Sequence, residues 1–371
     1  MEEKVFRKSF STPTILDVAH AAGVSPATVS RVLNSTHPVS AQTREKVLKA
    51  VKTLRYYPNA LARSLLKRHT AILGVLIPDV SNPYYSVILR GIEDEARLHG
   101  YSVLVCNTDR DPSRLVQYLR TLQERRADGA IVTGGQMDKA SIGLLRETGM
   151  PVVTIGRHHA SLPSVQVDNI AAAFKATQYL ISLGHRLIAT ITGPAGSPTS
   201  ADRLEGYRRA LSEAGIPLRP EYIVEGGFLA EGGYKGTKHL FTLPSPPTAI
   251  LAGNDRMAFG AIRALHEMGL RVPEDVSIVG FDDTLVAQYM VPALTTVAIP
   301  MYELGRRAAF ILFTRLQRKR APMVVVLPTE LRIRESTGPP ATVRKRIRKR
   351  SSGMQEITLK EGPYVQPART S

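Results

Sequence analysis

Cysteine is almost absent from the 371-residue sequence, which contains Cys106 alone. A disulfide framework and a cysteine-based metal site are therefore excluded. The nine histidines show no spacing typical of metal ligands, so no metal is expected. The opening MEEKVFRKSF lacks the apolar segment of a secretory signal, and no apolar run reaches the length of a membrane span. These absences predict a soluble cytoplasmic protein with no role at a membrane.

The motifs of several common enzyme classes are also missing. The sequence has no GxxxxGK(S/T) phosphate loop, no GxGxxG after a strand and no HExxH. The nearest approach to a nucleophile elbow is GVSPA, in which Ser25 is better explained as a helix cap. GGYKGTK has the composition of a phosphate loop without its spacing. We therefore expect a protein that is not an enzyme and uses no cofactor.

Positive charge is concentrated at the two ends of the chain. The formal net charge is +17; residues 1–70 hold twelve Lys or Arg against four Asp or Glu, and residues 341–371 hold eight against two. The segment between them is nearly neutral, and 43% of the chain is hydrophobic. The length indicates two or three domains with a sizeable core. Basic ends of this kind indicate a polyanionic partner, nucleic acid before membrane.

Three short amphipathic helices are predicted in the first sixty residues. Thr14 can cap the first helix, and Gly23 permits the turn that ends it. Ser25 caps the second helix, with Pro26 at its first position, where a missing N–H has no energetic cost. A third helix begins after Ser40. Two short helices joined by a tight glycine turn, with a supporting third, describe a helix-turn-helix.

The second of these helices, within GVSPATVSRVLN, has an outward face suited to DNA. Its apolar stripe leaves Ala27, Ser30, Arg31 and Asn34 pointing away from the core. The second helix of a helix-turn-helix enters the major groove, where Arg31 can pair with a guanine and Ala27 can contact a thymine methyl group. Thr28, Ser30 and the helix N-terminus can bind phosphates. The alternative is a small three-helix packing module with an incidental arginine.

A further short element, YYPNALARSLLKRH, follows the three helices. Pro58 or Asn59 starts it, and Leu61 and Leu65 lie one turn apart. A helix of about two turns is marginal in water, so this one is expected to order on a surface. Arg63 and an exposed leucine suit a minor groove, where apolar wedges separate base steps. The alternative is a linker helix docked on the core. The candidate DNA-contacting residues of these elements are Thr14, Ser25, Pro26, Ala27, Thr28, Ser30, Arg31, Asn34, Asn59, Arg63 and Leu65.

From residue 71 onward, predicted strands alternate with predicted helices. AILGVLIP is a continuous apolar run typical of a buried parallel strand. YSVLVC, GAIVTG and PVVTIG continue the series, which restarts at HRLIATITG and reaches SIVGFDD. The alternation predicts doubly wound parallel sheets in two similar α/β halves. Ligands bind beyond the carboxyl ends of such strands, and two facing halves form a cleft for a small ligand.

Aromatic and polar residues are concentrated in the loops at these strand ends. Each has an ordinary structural interpretation, such as a helix cap for Asp282, a core position for Phe228 or a surface ion pair for Arg203. Their joint position, and the mixture of aromatic faces with hydroxyl-pairing groups, favours a sugar or another small polar ring. The candidate effector-binding residues are Asp79, Tyr84, Tyr85, Ser197, Thr199, Arg203, Phe228, Asn254 and Asp282.

Taken in order, these segments resemble the LacI/GalR family of bacterial transcriptional regulators. TILDVAHAAGVSPATVSRVLN and VSAQTREKVLKAVKTLRYYPNALARSLL are similar to its DNA-binding headpiece. LGVLIPDVSNPYY, DGAIVTGG, LGHRLIATITGP, ADRLEGYRRAL, GNDRMAFGAIRAL and VPEDVSIVGFDDT are similar to its effector-binding core. The similarity runs from about Thr14 to Pro339, far more of the chain than any single motif covers.

The resemblance implies a fold and a way of acting. The fold would be an α/β core, periplasmic-binding-protein-like, with two doubly wound parallel-sheet subdomains joined by three crossovers, and an all-α helix-turn-helix headpiece. The protein would be a homodimeric repressor that binds a pseudo-palindromic operator in double-stranded DNA under the control of a small-molecule effector. Pro26, Ala27 and Arg31 match base-reading positions, and Leu65 matches the hinge leucine that enters the minor groove. The matched effector positions are Tyr84, Tyr85, Arg203, Phe228, Asn254 and Asp282.

We expect four regions: a headpiece at 1–57, a hinge helix and linker at 58–69, a core at 70–340 and a basic, disordered tail at 341–371. Ser197 stands where purine-responsive members carry an arginine, which favours a sugar as effector. The tail contains no leucine heptad, so tetramerisation is not expected. An alternative is a regulator of the same family that is controlled by a phosphocarrier protein. A sugar-binding transport protein would need a signal peptide and no headpiece, the reverse of this chain.

Overall fold

The structure of this chain is a computed structural model that describes most residues between 13 and 341. The described ranges are 13–34, 37–56, 69–134, 137–157 and 161–341. The chain divides into two compact units, Met1–Ala71 and Ile72–Ser371. Within the described ranges, no helix has both the length and the apolar character needed to cross a bilayer. The same ranges contain no group of three side chains placed to hold a metal ion.

The described part of the first unit consists of three helices around a small apolar core. Helix α1 spans Ile15–Ala22, α2 spans Pro26–Asn34 and α3 spans Ala41–Leu54. Each helix contributes a stripe of buried residues, with Val29 of α2 and Val47 of α3 fully enclosed. The predicted three-helix arrangement is therefore confirmed.

Local capping sets where these helices begin and end. Thr14 and Asp17 form a reciprocal capping box at α1, in which each residue bonds the backbone amide of the other. Ser25 and Ser40 accept amide hydrogen bonds from the first turns of α2 and α3. Gly23 adopts a φ of 63° between α1 and α2, a left-handed conformation that glycine reaches without steric penalty. These contacts fix the angle at which α2 leaves α1.

The second unit is built on two six-stranded sheets. The strands, in chain order, are β1 Ile72–Ile77, β2 Ser102–Asn107, β3 Gly129–Thr133, β4 Val152–Ile155, β5 Ser164–Val167, β6 Ile188–Thr192, β7 Ile223–Glu225, β8 Ala249–Ala252, β9 Ser277–Asp282, β10 Thr295–Ala298, β11 Val324–Leu327 and β12 Glu330–Arg332. The first sheet has the order β11-β5-β4-β3-β1-β2 and the second β12-β10-β9-β8-β6-β7. The pairings are parallel except that of β10 with β12.

The chain passes between the two sheets three times. The first sheet takes β1 to β5, the second takes β6 to β10, and β11 and β12 return to the first and second sheets in turn. We call the parts built on these sheets the first half and the second half. The three passages confirm the crossovers that the family resemblance implies.

Helices cover the sheets and pack closely on one another. They are α4 Pro83–Leu98, α5 Pro112–Glu124, α6 Lys139–Thr148, α7 Asn169–Ser182, α8 Pro198–Glu213, α9 Ala230–Leu240, α10 Asp255–Glu267 and α11 Met301–Leu316. The closest approach between α4 and α11 is made by glycines: a Cβ at Gly91 would strike the Tyr302 carbonyl, and one at Gly305 would strike that of Ile88. Any larger residue at either position would push the two helices apart.

Candidate functional site

The outward face of α2 presents the side chains that sequence reasoning assigned to base contacts. Val29 and Val32 are buried and hold the helix against the unit, whereas Pro26, Ala27 and Arg31 are exposed. Ala27 and Arg31 are four residues apart and therefore share a face of the helix. A small methyl group beside a long guanidinium is an arrangement that can meet a thymine methyl and a guanine edge together.

The hydroxyl groups at the helix starts already make local bonds. The Ser25 and Thr28 hydroxyl oxygens lie 2.9 Å apart, and Ser25 also accepts the Thr28 amide at 3.2 Å. The Thr14 hydroxyl donates to the Asp17 carboxylate at 2.7 Å, and the same capping contacts lower the pKa of Asp17, the backbone amide of Thr14 most of all. A DNA phosphate at these positions would be bound by the helix N-termini and would share these hydroxyls with their caps.

The remaining predicted DNA contacts are less fully described. Ser30 is half-buried on α2. Asn34 is the last residue of α2, and its backbone alone is described. Asn59, Arg63 and Leu65 lie outside the described residues, so the hinge helix assigned to them stays a prediction from the sequence.

A cavity of about 190 Å³ lies in the second unit, and its walls come from both halves. It is bounded by loops at the carboxyl ends of the strands, as expected for facing α/β halves. Asp79 is the one predicted effector residue that does not line it. The predicted residues that do are Tyr84, Tyr85, Ser197, Thr199, Arg203, Phe228, Asn254 and Asp282.

A buried ion pair forms one side of the cavity. The Arg203 guanidinium lies with one terminal nitrogen 3.8 Å from the Asp282 carboxylate, and both side chains are more than nine-tenths buried. Arg203 also donates to Asn169 Oδ1 at 2.9 Å and to the Gly253 carbonyl, and it stacks on the Phe281 ring at 4.1 Å. With so many partners, the guanidinium is held in one orientation, ready to donate to a ligand.

Burial shapes the charge of the carboxyl groups behind this pair. It raises the pKa of Asp282 well above the usual range, against the opposing effect of Arg203. Burial also raises the pKa of Asp255 to about 6, although Thr296 and Thr284 donate hydrogen bonds to its carboxylate at 2.6 to 3.0 Å. Because Asp255 and Asp282 repel each other when both are ionised, and burial disfavours charge, ionisation of one carboxyl group opposes ionisation of the other.

Aromatic rings supply the apolar walls. The Tyr84 and Tyr85 rings meet edge to face, with centroids 5.1 Å apart. Burial raises the pKa of both hydroxyl groups, so they remain protonated and can donate hydrogen bonds. Phe228 adopts a φ of 62° and lays its ring over Gly193, where any Cβ would collide with it. Flat apolar faces with donors at their edges suit a ring that carries hydroxyl groups.

Two polar residues of the cavity also serve as helix caps. Ser197 caps α8, and Asn254 caps α10 by accepting the Met257 amide at 2.9 Å. The Asn254 amide group donates to the Phe228 carbonyl at 3.2 Å, which ties the cap to the loop that carries the aromatic ring. Both residues therefore order the cavity wall whether or not a ligand is present.

Asp79 lies outside the cavity because a residue of the other half binds its carboxylate. Arg256, in the first turn of α10, donates to Asp79 at 2.7 Å, and Ser81 donates from its amide and hydroxyl. Burial opposes ionisation of Asp79, but the hydrogen bonds from Ser81 and Arg256 outweigh it and lower the pKa. The ionised Asp79 carboxylate therefore forms an ion pair that links the first half to Arg256 of the second half.

Sequence reasoning missed several residues that line the cavity. Arg110 and Arg157 follow β2 and β4, and Asn169 follows β5, so all three obey the strand-end rule that found the others. Arg157 pairs with Asp202 of α8 at 2.6 Å and so also joins the two halves. Leu304 comes from the middle of α11, and no local signal in the sequence distinguishes it from a core residue.

Known protein families match both the unit that carries α2 and the unit that carries the cavity. A model for "Bacterial regulatory proteins, lacI family" matches residues 14–59, and one for a "Periplasmic binding protein-like domain" matches residues 177–337. Catabolite control protein A of Priestia megaterium is 39% identical, over 87% of this chain and 99% of that protein. The chain belongs to the LacI family. It is a DNA-binding transcriptional regulator and not an enzyme.

Solved structures of the LacI family share its architecture. The lac repressor dimer bound to operator and the anti-inducer ONPF is 32% identical, with a TM-score of 0.80, covering 88% of this chain and 99% of that one. The transcriptional regulator CelR in complex with cellobiose is 34% identical, with a TM-score of 0.68, covering 87% and 99%. The expected fold class, two periplasmic-binding-protein-like subdomains with a helix-turn-helix headpiece, is confirmed.

Proposed function

We propose that this LacI-family regulator is a repressor whose operator affinity is set by a sugar bound between the two halves of the core. The observation that carries the proposal is the cavity itself, in which the Arg203–Asp282 pair and the aromatic residues Tyr84, Tyr85 and Phe228 converge from both halves. Directional donors combined with flat apolar faces favour a polyhydroxylated ring over an apolar ligand. The cellobiose bound by its relative CelR supports the same class.

The operator partner is proposed to be a pseudo-palindrome in double-stranded DNA, bound by a homodimer in the cytoplasm. A dimer places two copies of α2 against two half-sites, and the lac repressor relative was solved as a dimer on its operator. Exposed apolar side chains beyond β9 offer a surface for a second copy: Leu285, Tyr289 and Val291 are 70%, 74% and 92% exposed. An apolar group of this kind is typical of an association surface.

Control by the effector follows from its contact with both halves. A ligand that binds one relative placement of the halves more tightly than another shifts the population toward the first. If the two placements differ in operator affinity, ligand and operator change each other's binding by the same factor. The ion pairs Asp79–Arg256 and Arg157–Asp202, which join the halves, are the contacts that such a shift would make or break.

The test is operator binding by fluorescence anisotropy in the presence of a panel of neutral, acidic and phosphorylated sugars. A sugar that stabilises the core in thermal melts and changes operator affinity supports the proposal. Stabilisation with no change in operator affinity contradicts effector control.

A phosphocarrier protein is the second candidate for the controlling partner. The observation in its favour is the 39% identity to a catabolite control protein. This alternative is supported if no sugar in the panel changes operator affinity and a phosphorylated phosphocarrier protein does.

A further inference from the structure

Arg110 lies in a short, well-anchored loop between β2 and α5. The Thr108 amide and hydroxyl both donate to the Ile77 carbonyl, the amide at 2.8 Å. Asn107, at the end of β2, accepts the Val80 amide at 2.8 Å. Arg110 itself has a φ of 61°, a strained conformation for a residue with a side chain. Strain in an otherwise rigid loop is a common property of functional positions.

The acidic neighbours of Arg110 are engaged elsewhere. Asp109 pairs with Arg114. Asp111 caps α5 and accepts the Ser113 amide at 2.8 Å and its hydroxyl at 2.7 Å. Among the described residues, no carboxylate lies within ion-pair distance of Arg110. Its charge is therefore left without a local counterpart.

Arg110 lines the cavity with an incompletely bonded guanidinium. Its Nη2 atom is buried and has no hydrogen-bond partner in the described part of the chain. The other arginines of the cavity are compensated, Arg203 by Asp282 and Arg157 by Asp202. A buried donor without a partner is unfavourable, more so when it is charged. Among the described residues, Arg110 is therefore the arginine of the cavity that no carboxylate pairs with.

We propose that Arg110 binds an anionic oxygen group of the effector, so that the molecule recognised is a sugar phosphate or a sugar acid and not a neutral sugar. This inference rests on the proposed function of the cavity. A guanidinium matches a phosphate or carboxylate with two parallel hydrogen bonds. Tyr85 lies close enough for Arg110 to influence its ionisation, and its protonated hydroxyl can donate to the same group.

Inorganic phosphate tests the anion subsite directly, in thermal melts of the full-length protein at constant ionic strength set with chloride. At ten times its dissociation constant, phosphate should raise the melting temperature of the core by about 2–4 °C. Phosphate also stabilises proteins generally by exclusion from their surface, so the comparison is with Arg110→Gln. Arg120→Gln, which removes an exposed arginine of α5 outside the cavity, is the matched control.

The proposal expects wild type and Arg120→Gln to respond alike, with Arg110→Gln retaining only the general salt effect. It also expects the ligand-free melting temperature of Arg110→Gln to equal or exceed that of wild type, because the substitution removes a charged group whose Nη2 atom is buried without a partner. Equal phosphate responses in all three proteins would overturn the subsite.

Three matched sugars then separate the sources of the anionic group: glucose, glucose 6-phosphate and glucuronate. Stabilisation by the phosphate ester or by the uronate, but not by glucose, and its loss in Arg110→Gln, supports the proposal and tells the two sources apart. Stabilisation by glucose alone, equal in wild type and Arg110→Gln, overturns it while the proposed function stands. If Arg110 binds phosphate but no small molecule changes operator affinity, the subsite stands and the proposed effector control fails.

Discussion

The Asp79 carboxylate, beyond the end of β1, accepts a hydrogen bond of 2.7 Å from the Arg256 guanidinium in the first turn of α10. The two residues belong to different halves of the core and are 177 positions apart in the chain. Both side chains are about four-fifths buried, so the pair is better shielded from solvent than an ordinary surface ion pair. It is a direct link between the halves that any change in their relative placement must stretch or break.

Asp79→Asn should weaken this link while preserving side-chain size. We expect a coupling free energy between Asp79 and Arg256 of about 0.5–1 kcal/mol, measured in a double-mutant cycle with Arg256→Gln by urea unfolding. Because the pair favours one placement of the halves, each single variant should also change the dissociation constant of the effector by about two- to fivefold. Arg97→Gln, which breaks a pair with Asp94 inside α4 at 2.8 Å, is the matched control. An equal effect of Arg97→Gln on effector binding would show that the link has no special role.

Arg203→Ala should abolish the response to the effector. The substitution removes a charged donor from the cavity wall and leaves Asp282 and the Gly253 carbonyl without their partner, so the core should also lose about 3–5 kcal/mol of stability. Arg209→Ala, on the exposed side of the same helix α8, should have little effect on either quantity. Circular dichroism melts will show whether Arg203→Ala folds. If it does not, Asp282→Asn is the variant in which the response to the effector is measured. A folded variant of either kind that still responds fully to the effector would place the effector site elsewhere.

Protonation of Asp255 should contribute to the pH dependence of the free energy of unfolding of the core. Its pKa is about 6 in the folded protein and about 3.9 in an unfolded chain. The folded state therefore holds the proton more tightly, and this group makes stability fall as the pH rises from about 4 to about 6, by an amount on the order of 1–3 kcal/mol. Above that range its contribution is constant.

Asp255→Asn should flatten this part of the pH profile, since it removes the titrating group and the repulsion that helps to raise the pKa of Asp282. Urea unfolding between pH 4 and pH 7.5 measures the slope, and Glu147→Gln, an exposed carboxylate of α6, should leave the slope as in wild type. An Asp255→Asn slope identical to that of wild type would mean that Asp255 does not take up a proton in this range.

Local rules account for the parts of the fold that sequence reasoning predicted well. The starts of α1, α2 and α3 follow from single side-chain caps, and the turn at Gly23 from one residue's freedom at positive φ. The clustering of cavity residues follows from parallel strand order, which brings carboxyl ends to one edge of each sheet. Ser197 and Asn254 were identified in this way although they are distant in sequence.

Contacts between the halves could not be predicted from the same rules. Nothing local to Asp79 indicates that Arg256, 177 residues later, takes its carboxylate and removes it from the cavity wall. Arg110 and Arg157 satisfy the strand-end rule, yet an arginine in a polar loop carries no local mark that distinguishes it from a surface residue. Leu304 reaches the cavity from a helix whose apolar stripe also builds the core, and only the packing of α11 distinguishes the two roles.

Leu65→Ala tests the hinge predicted from the sequence. If Leu65 enters the minor groove, the truncation removes the apolar wedge that separates base steps. Operator binding should then weaken by about 1–3 kcal/mol, and the bend of the operator measured by energy transfer between its ends should decrease. Thermal unfolding of the core should be unchanged. Unaltered operator affinity and bending would rule out the wedge.

Arg31→Ala separates base reading from phosphate binding. Arg31 is exposed on the face of α2 that it shares with Ala27, and a guanidinium paired with a guanine contributes about 1–3 kcal/mol of discrimination. We therefore expect the variant to lose that much free energy of binding on the specific operator and little on random DNA, measured by anisotropy at fixed salt. Lys49→Ala, which removes an exposed cation of α3, is the control: if Lys49 contacts only phosphates, its loss lowers both affinities by similar factors, and if it contacts no DNA, both affinities stay as in wild type. Equal losses of binding free energy for Arg31→Ala on the two DNAs would mean that Arg31 contacts phosphates only. Base reading would then belong to the other side chains of α2.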